Sequence, residues 1–386
     1  MVSLETAEKA LKSVYLGVVQ DQLNVGVNPL LAKIEQTTSD VWGKEIIKMV
    51  PYGMNGGIGA GSEIGELPDA AGNNYKQFRL ALKNLYGTIE ISDKAVQASQ
   101  SSAGAFVNLL NAEMEGLLKA SKFNLGRMLY GDGTGTLTTV NAINSNNKVK
   151  VASVKNLMEG MVVDFYKKSE NTKYPNMTGR RIASIDRANK VVTLEGSAFD
   201  AMQVGDYITV QKSKGYEITG LGAIFSDKDI YGLRRSENEW LKPYMKSGIT
   251  GVTSGAIQEA IDYVDEVAGS NIDFIVTSYD VKRKYLDYLN TSRTNIDFMN
   301  LDGGYKALSY NGIPLVSDRF VEDNTMYLLN SGDFKLHQLS DWRWLEGEGG
   351  KVIKQKAGTP CYSATLVKYA DMICDKPIGQ VKLEFK

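Results

Sequence analysis

One histidine, His337, stands in 386 residues. A Ser-His-Asp triad or a multi-histidine metal site within one chain therefore has very little to build from. His337 lies between Leu336 and Gln338 in a strand-like run and reads as a structural histidine. Two carboxylate pairs, Asp297 with Asp302 and Glu346 with Glu348, have a spacing that acid–base chemistry could use. Both sit in Gly-containing loops with nothing apolar nearby to raise a pKa. Gly131-Asp132-Gly133-Thr134-Gly135 looks like a fragment of a phosphate- or calcium-binding loop. It lacks the following Lys, and it lacks the spaced Asp or Asn and terminal Glu, so it reads as a turn. No GxxxxGK[ST] is present. Cys361 and Cys374 are too few and too isolated for a disulfide framework or a zinc site, and suit a reduced, buried state from a cytoplasmic place of folding. Lys282-Arg283-Lys284 and Arg234-Arg235 read as solvated helix faces or contacts between subunits. No catalytic, cofactor-binding or metal residue is expected, and no enzyme.

The charge balance points the same way. Lys plus Arg number 44 against 45 for Asp plus Glu, a formal net charge of −1. Gripping nucleic acid through its phosphates calls for a basic face, which this balance does not favour. A charge near zero also does little to oppose self-association. The length predicts two or three domains. The first residues, MVSLETAEKALKSVYLG, do not read as a signal peptide. No apolar run approaches the roughly 20 residues of a membrane span.

The elements that would position these residues follow from periodicity. Ser101–Tyr130 reads as one long helix, with Phe106, Leu110, Met114, Leu117, Leu125 and Met128 on one stripe. Its length would be roughly 40–45 Å. Gly116 and Gly126 each cost about 1 kcal/mol relative to Ala, so packing must hold it. Before it, Thr6–Tyr15 is a candidate helix in a leader with too little apolar surface to fold alone. Ile46–Tyr52 is a short apolar run, followed by the Gly-rich Gly53–Gly61. From Tyr75 the chain alternates through Phe78, Leu80, Leu82 and Leu85, which predicts a strand and hence a protruding hairpin. Ser92 is placed as the cap of a short helix through Ala98. From about Asn147 to Tyr216, short β runs separated by turn residues predict a small barrel or sandwich. Thr253 opens a helix stopped by Gly269. Strand Asp273–Thr277 followed by a helix from Ser278, then strands at Ile313–Val316 and Met326–Leu329, reads as an α/β unit. Lys376–Lys386 alternates like an edge strand.

In order and spacing, four stretches resemble the major capsid protein of a tailed bacteriophage with the Hong Kong 97-type fold. They are Glu63 and Glu66-Leu67-Pro68 leading into KQFRLALKNLYGTIEIS; LGRMLYGDGTGTL; ITGLGAIFSDKDIYGLRRSENEWLKP; and YNGIPLVSDRFVEDNTMYLLNSGDFKLHQLSDW. The resemblance implies an α+β fold. It places an N-terminal arm at 1–45, an E-loop at 46–86, and a peripheral domain with the spine helix at 87–146. A β-rich inserted domain at 147–216 has no counterpart in the minimal fold. The peripheral domain returns at 217–245, an axial domain follows at 246–350, and C-terminal strands close the chain at 351–386. The family's crosslinking Lys and Asn match no pair here, so no covalent lattice is expected.

The implied function is self-assembly into an icosahedral shell of hexamers and pentamers enclosing double-stranded DNA. The implied partners are the chain itself, a separate scaffolding protein, a portal and a decoration protein, with non-specific contact to the enclosed DNA and no membrane. The implied location is the virion capsid, after assembly in the host bacterial cytoplasm. The alternatives are an encapsulin-type nanocompartment, a tail-tube or surface-layer protein, and a hydrolase using loop carboxylates.

Overall fold

The computed structural model describes residues 16, 20, 22, 23, 28–94, 103–145, 147–196, 200–292, 298–300 and 306–386. The expected helix at Thr6–Tyr15 and the pair Asp297 and Asp302 lie outside these residues, as does most of the helix expected through Ala98.

In chain order the elements begin with α1 (Pro29–Lys33), β1 (Glu35–Thr37), β2 (Val41–Trp42), β3 (Glu45–Pro51), β4 (Tyr75–Ala81), β5 (Lys83–Ser92) and α2 (Ala103–Tyr130). Next come β6 (Thr136–Ser145), β7 (Lys148–Val151), β8 (Val162–Tyr166), β9 (Arg180–Asp186), β10 (Val191–Leu194) and β11 (Tyr207–Val210). Then follow α3 (Leu221–Ile224), β12 (Tyr244–Ile249), α4 (Ser254–Ala268), β13 (Phe274–Thr277) and α5 (Tyr279–Thr291). The chain ends with β14 (Phe298–Asn300), β15 (Lys306–Tyr310), β16 (Ile313–Ser317), β17 (Thr325–Leu329), β18 (Phe334–Trp344), β19 (Lys354–Gln355), β20 (Cys361–Cys374) and β21 (Val381–Phe385).

Strands β6–β11 close on themselves as a barrel in the order β10-β7-β6-β11-β8-β9. Val140, Val149, Val151, Val163, Phe165, Ile182, Val192 and Ile208 belong to its own core. Closure leaves no open sheet edge, which suits so small a unit. The first barrel strand starts at Thr136, ahead of position 147, and continues directly from the Gly-rich turn after α2. In that turn Asp132 Oδ1 accepts from the Thr134 amide at 3.0 Å and from its hydroxyl at 2.6 Å. Gly135 has φ +79°, and a Cβ there would lie 2.6 Å from the Ser213 carbonyl oxygen. Only glycine fits that turn comfortably.

Near its end the chain passes between the two remaining large sheets twice, from β17 to β18 and from β20 to β21. A seven-stranded sheet runs β12-β21-β17-β13-β16-β15-β14, with β13 and β16 parallel. α4 begins at Thr253, whose hydroxyl accepts from the Ala256 amide, and ends at the left-handed Gly269. Its buried Ile257, Ala260 and Val264 share a core with Ile275, Val281, Tyr285 and Leu328. The five-stranded sheet places β20 at its centre, paired with β18, β19 and β5. Against this sheet and the α3 region packs α2, whose Met114, Leu118, Phe123, Leu125, Met128 and Leu129 are buried in the largest core. Gly87 on β5 faces Leu117 and Ser121, and Gly126 faces the ring of Phe320. The glycine of the helix thus allows a close approach that offsets its poor propensity.

Three expectations need correction. The C-terminal strand is not at an edge: β21 lies between β12 and β17, and Val381, Leu383 and Phe385 are buried. The alternation from Tyr75 to Leu85 is not one strand. Its phase reverses at Leu82, where the chain leaves the β2-β3-β4 sheet and joins β20. Arg235 is no solvated helix residue. It lies buried outside the helices, and its guanidinium donates to the carbonyls of Lys228, Leu241, Ala223 and Ile224. Arg234 beside it is exposed and pairs with Glu237 at 3.0 Å.

Candidate assembly surface

Among the described residues the hairpin of β3 and β4 carries the most exposed large apolar side chains. Its foot is firmly packed. Phe78 is buried and stacks at 5.8 Å on Trp240 and at 4.7 Å against Tyr231. Tyr52 stacks on the same indole at 5.4 Å, and the Arg79 amide donates to the Tyr231 carbonyl at 3.0 Å. Lys48 on β3 reaches Asp375 at 2.6 Å. The strands pair in register from Glu45 with Ala81 to Pro51 with Tyr75.

Beyond Tyr52 and Tyr75 the hairpin has no such support. Residues 52–74 form no helix or strand. The side-chain hydrogen bonds there, such as Asn55 to Asn73 at 2.9 Å and to the Gly57 amide at 2.8 Å, stay within the hairpin. Ile64 is 99% exposed, Leu67 88%, Met54 77% and Ile58 71%. Four large apolar side chains on one unsupported loop are too many to be ascribed to ordinary surface scatter.

The residues that could do chemistry are not brought together. Glu346 and Glu348 are both exposed, near the short turn that follows β18. The His337 Nδ1 lies 2.9 Å from the Ser39 carbonyl oxygen, and burial lowers the pKa of the ring. Lys282, Arg283 and Lys284 do lie on a helix, α5, where Lys284 Nζ donates to Asn324 at 2.9 Å and to the Lys386 carbonyl at 3.0 Å. Among the described residues no group of three or more His, Cys, Asp or Glu could hold a metal ion. No helix among them is long and apolar enough to cross a membrane.

Buried charge instead serves the joints between elements. Arg127, in the last turn of α2, grips Glu217 with two contacts of 2.7 Å, both side chains being buried. Asp371 on β20 is fully buried and accepts from the Thr219 amide at 2.7 Å, its hydroxyl at 3.1 Å and the Met372 amide at 2.8 Å. Burial raises its pKa to about 7 despite those hydrogen bonds. Lys368, also on β20, donates to Gln36 at 2.9 Å and to Asp341 at 3.2 Å. Burial lowers its pKa, and Asp341 opposes that shift. None of these was singled out from the sequence. The signal available was a Lys and an Asp inside the otherwise apolar run Leu366–Cys374.

No family model matches this sequence, and no curated protein matches it. Solved structures do. The cyanophage A-1(L) capsid asymmetric unit aligns at TM-score 0.53 and 12% identity, covering 95% of this chain and 92% of that one. The holo-SrpI encapsulin complex from Synechococcus elongatus PCC 7942 aligns at 0.47 and 9% identity, covering 93% and 88%. The capsid of Myoviridae phage XM1 aligns at 0.46 and 9% identity, covering 94% and 92%. In architecture this chain resembles the tailed-phage major capsid proteins, and its fold is the Hong Kong 97-type capsid fold.

Proposed function

We propose that this chain is a major capsid protein that assembles with copies of itself, as hexamers and pentamers, into an icosahedral shell around a phage double-stranded DNA genome. The observation that carries the proposal is the β3–β4 hairpin. Its foot is fixed by Phe78, Trp240 and Lys48, while Ile64 and Leu67 at its far end are almost wholly in water. Such a projection gains burial when it lies on a neighbouring subunit. Permanent subunit interfaces commonly exceed about 2,000 Å². Several modest contacts per subunit suffice, because a closed lattice makes each new contact effectively intramolecular. The Gly-rich loop lets one sequence fit both five-fold and six-fold surroundings. A scaffolding protein, a portal and a decoration protein complete the proposed partners, the shell forms in the host cytoplasm, and no reaction is assigned to the chain.

The test is removal of Gly53–Gly72. The shortened chain is expected to remain a soluble, folded subunit that forms no shells by electron microscopy, alone or with scaffold. Closed particles of normal size from that chain would overturn the proposal. Tubes or flat sheets from the intact chain would point to a tail-tube or surface-layer role instead.

A further inference from the structure

Charge is unevenly shared along this nearly neutral chain. From Thr136 to Tyr216, which covers the barrel and its exit, twelve Lys or Arg stand against seven Asp or Glu, a net charge of +5. The rest of the chain holds 32 against 38, a net charge of −6. Two of the barrel's carboxylates are also used internally. Asp164 is buried, accepts from the Gly179 and Lys212 amides and pairs with Lys173. Asp206 is buried and accepts from the Tyr174 hydroxyl and the Lys168 and Gln203 amides. The hairpin loop is the opposite case. Residues 53–74 contain Glu63, Glu66 and Asp69 and no Lys or Arg.

On the barrel, positive charge sits beside aromatic rings, two half-buried and one exposed. Lys214 Nζ lies 4.0 Å from the ring centroid of Tyr207 and 5.6 Å from that of Tyr166. Lys212 is exposed, and Tyr216 is 69% exposed. Neither lysine is in an ion pair among the described residues. A partly desolvated ammonium interacts more strongly with an arriving carboxylate than a fully hydrated one. Lys214 lies over the half-buried rings of Tyr166 and Tyr207, which leaves Tyr216 as the open ring of the patch.

The loop cannot serve its own barrel patch. Lys83 Nζ donates to the Gly215 carbonyl at 3.3 Å, which ties the patch to the hairpin's foot. From there β4 carries the loop away by roughly 20 Å at ~3.3 Å per residue. Ile64 and Leu67, 99% and 88% exposed, do not pack on the patch of their own chain.

We infer that the acidic hairpin tip of one copy docks on the barrel patch of a second copy, with Ile64 and Leu67 against the exposed Tyr216 ring and Glu63 and Glu66 facing Lys212 and Lys214. The docking presupposes the self-assembly proposed above and names the receiving surface. Because donor and receiver are different patches, the contact is heterologous, and it closes into rings when the rotation allows.

The experiment reverses charge on each side in the full chain. K212E/K214E and E63K/E66K are each expected to lower shell yield by about tenfold or more, since like charges then face each other. The four changes combined in one chain are expected to restore yield to within about twofold of the original, because the two pairs of sites are coupled. Yield is read by analytical ultracentrifugation and negative-stain microscopy, and folding by circular dichroism. Normal assembly of K212E/K214E, alongside failure of the chain lacking Gly53–Gly72, would overturn the docking and leave the assembly proposal standing. Loss without rescue would also overturn it. Loss of single-stranded oligonucleotide binding in the same variant would then assign the patch to nucleic acid. Should a charge variant misfold, disulfide formation between Ile64→Cys and Tyr216→Cys subunits, mixed before assembly, provides the second measurement. A covalent dimer absent from either variant alone supports the docking, and no dimer within assembled shells overturns it.

Discussion

Arg127 and Glu217 meet as a two-point ion pair, Nη1 to Oε2 and Nη2 to Oε1, each at 2.7 Å, with both side chains under 5% exposed. The pair joins the last turn of the 28-residue helix to the irregular segment that leaves the barrel. Truncating one partner leaves a buried charge unpaired, which costs about 3–5 kcal/mol. Glu217→Gln should therefore lower the urea midpoint of the unassembled subunit strongly. Replacing both, as Arg127→Met with Glu217→Leu, should recover most of the loss. Additive losses in that double-mutant cycle would show that the two side chains act independently.

Asp371 predicts an unusual pH dependence. Its folded pKa of about 7 lies above the ordinary carboxylate value of 3.8. A raised carboxylate contributes stability that is fully present below the unfolded value and is lost as pH rises through the folded one. Between pH 8 and pH 5 this residue should thus stabilise the fold as acid is added. In the neutral form Oδ1 can keep the Thr219 and Met372 amides while the protonated oxygen donates to the Thr219 hydroxyl. Asp371→Asn reproduces that pattern and should raise stability more at pH 8 than at pH 5, by on the order of 1–3 kcal/mol. Denaturation curves at the two pH values decide it; equal effects at both would contradict the account.

Two glycines should respond in opposite directions. Gly116, inside the long helix, has nothing within 4 Å of an added Cβ. Gly116→Ala should stabilise by about 1 kcal/mol. At Gly220 an added Cβ would lie 2.3, 2.7 and 2.6 Å from the carbonyl oxygens of Met128, Leu129 and Gly131. These atoms are backbone at the end of the same helix, so neither side can yield cheaply. Gly220→Ala should destabilise by about 1–3 kcal/mol or more, read as a fall in melting temperature.

The exposed apolar residues of the hairpin separate subunit stability from assembly. Ile64 and Leu67 are 99% and 88% exposed, so Ile64→Ser with Leu67→Ser removes almost no intrachain burial. The melting temperature of the free subunit should stay within about 1–2 °C of the parent, the small shift expected of surface changes. Assembly, followed by light scattering, should fall sharply. Unchanged scattering would mean that the loop is not at a subunit contact.

The long helix was legible because Met114, Leu125 and Met128 keep one stripe across several turns, and a Gly-rich turn ends it. Thr253 and Gly269 marked both ends of α4 for local reasons, a side-chain cap and a left-handed stop. The break at Leu82 was also written in the chain, as a change of phase between Leu80 and Leu85, but a phase change does not say which sheet comes next. Arg235 could not have been placed. An arginine beside an exposed arginine carries no local sign that four backbone carbonyls will surround it.

The sequence by itself determined the local elements, the lack of histidines for metal or triad chemistry, and the Gly-rich hairpin, because caps, periodicity and composition act over a few residues. Tertiary structure alone decided that six short strands close into a barrel, that β21 runs through the middle of a sheet, and that Lys368 and Asp371 are buried on β20. Those outcomes depend on partners far away in the chain, since a strand's neighbours and a charge's solvation are fixed only when distant segments pack against them.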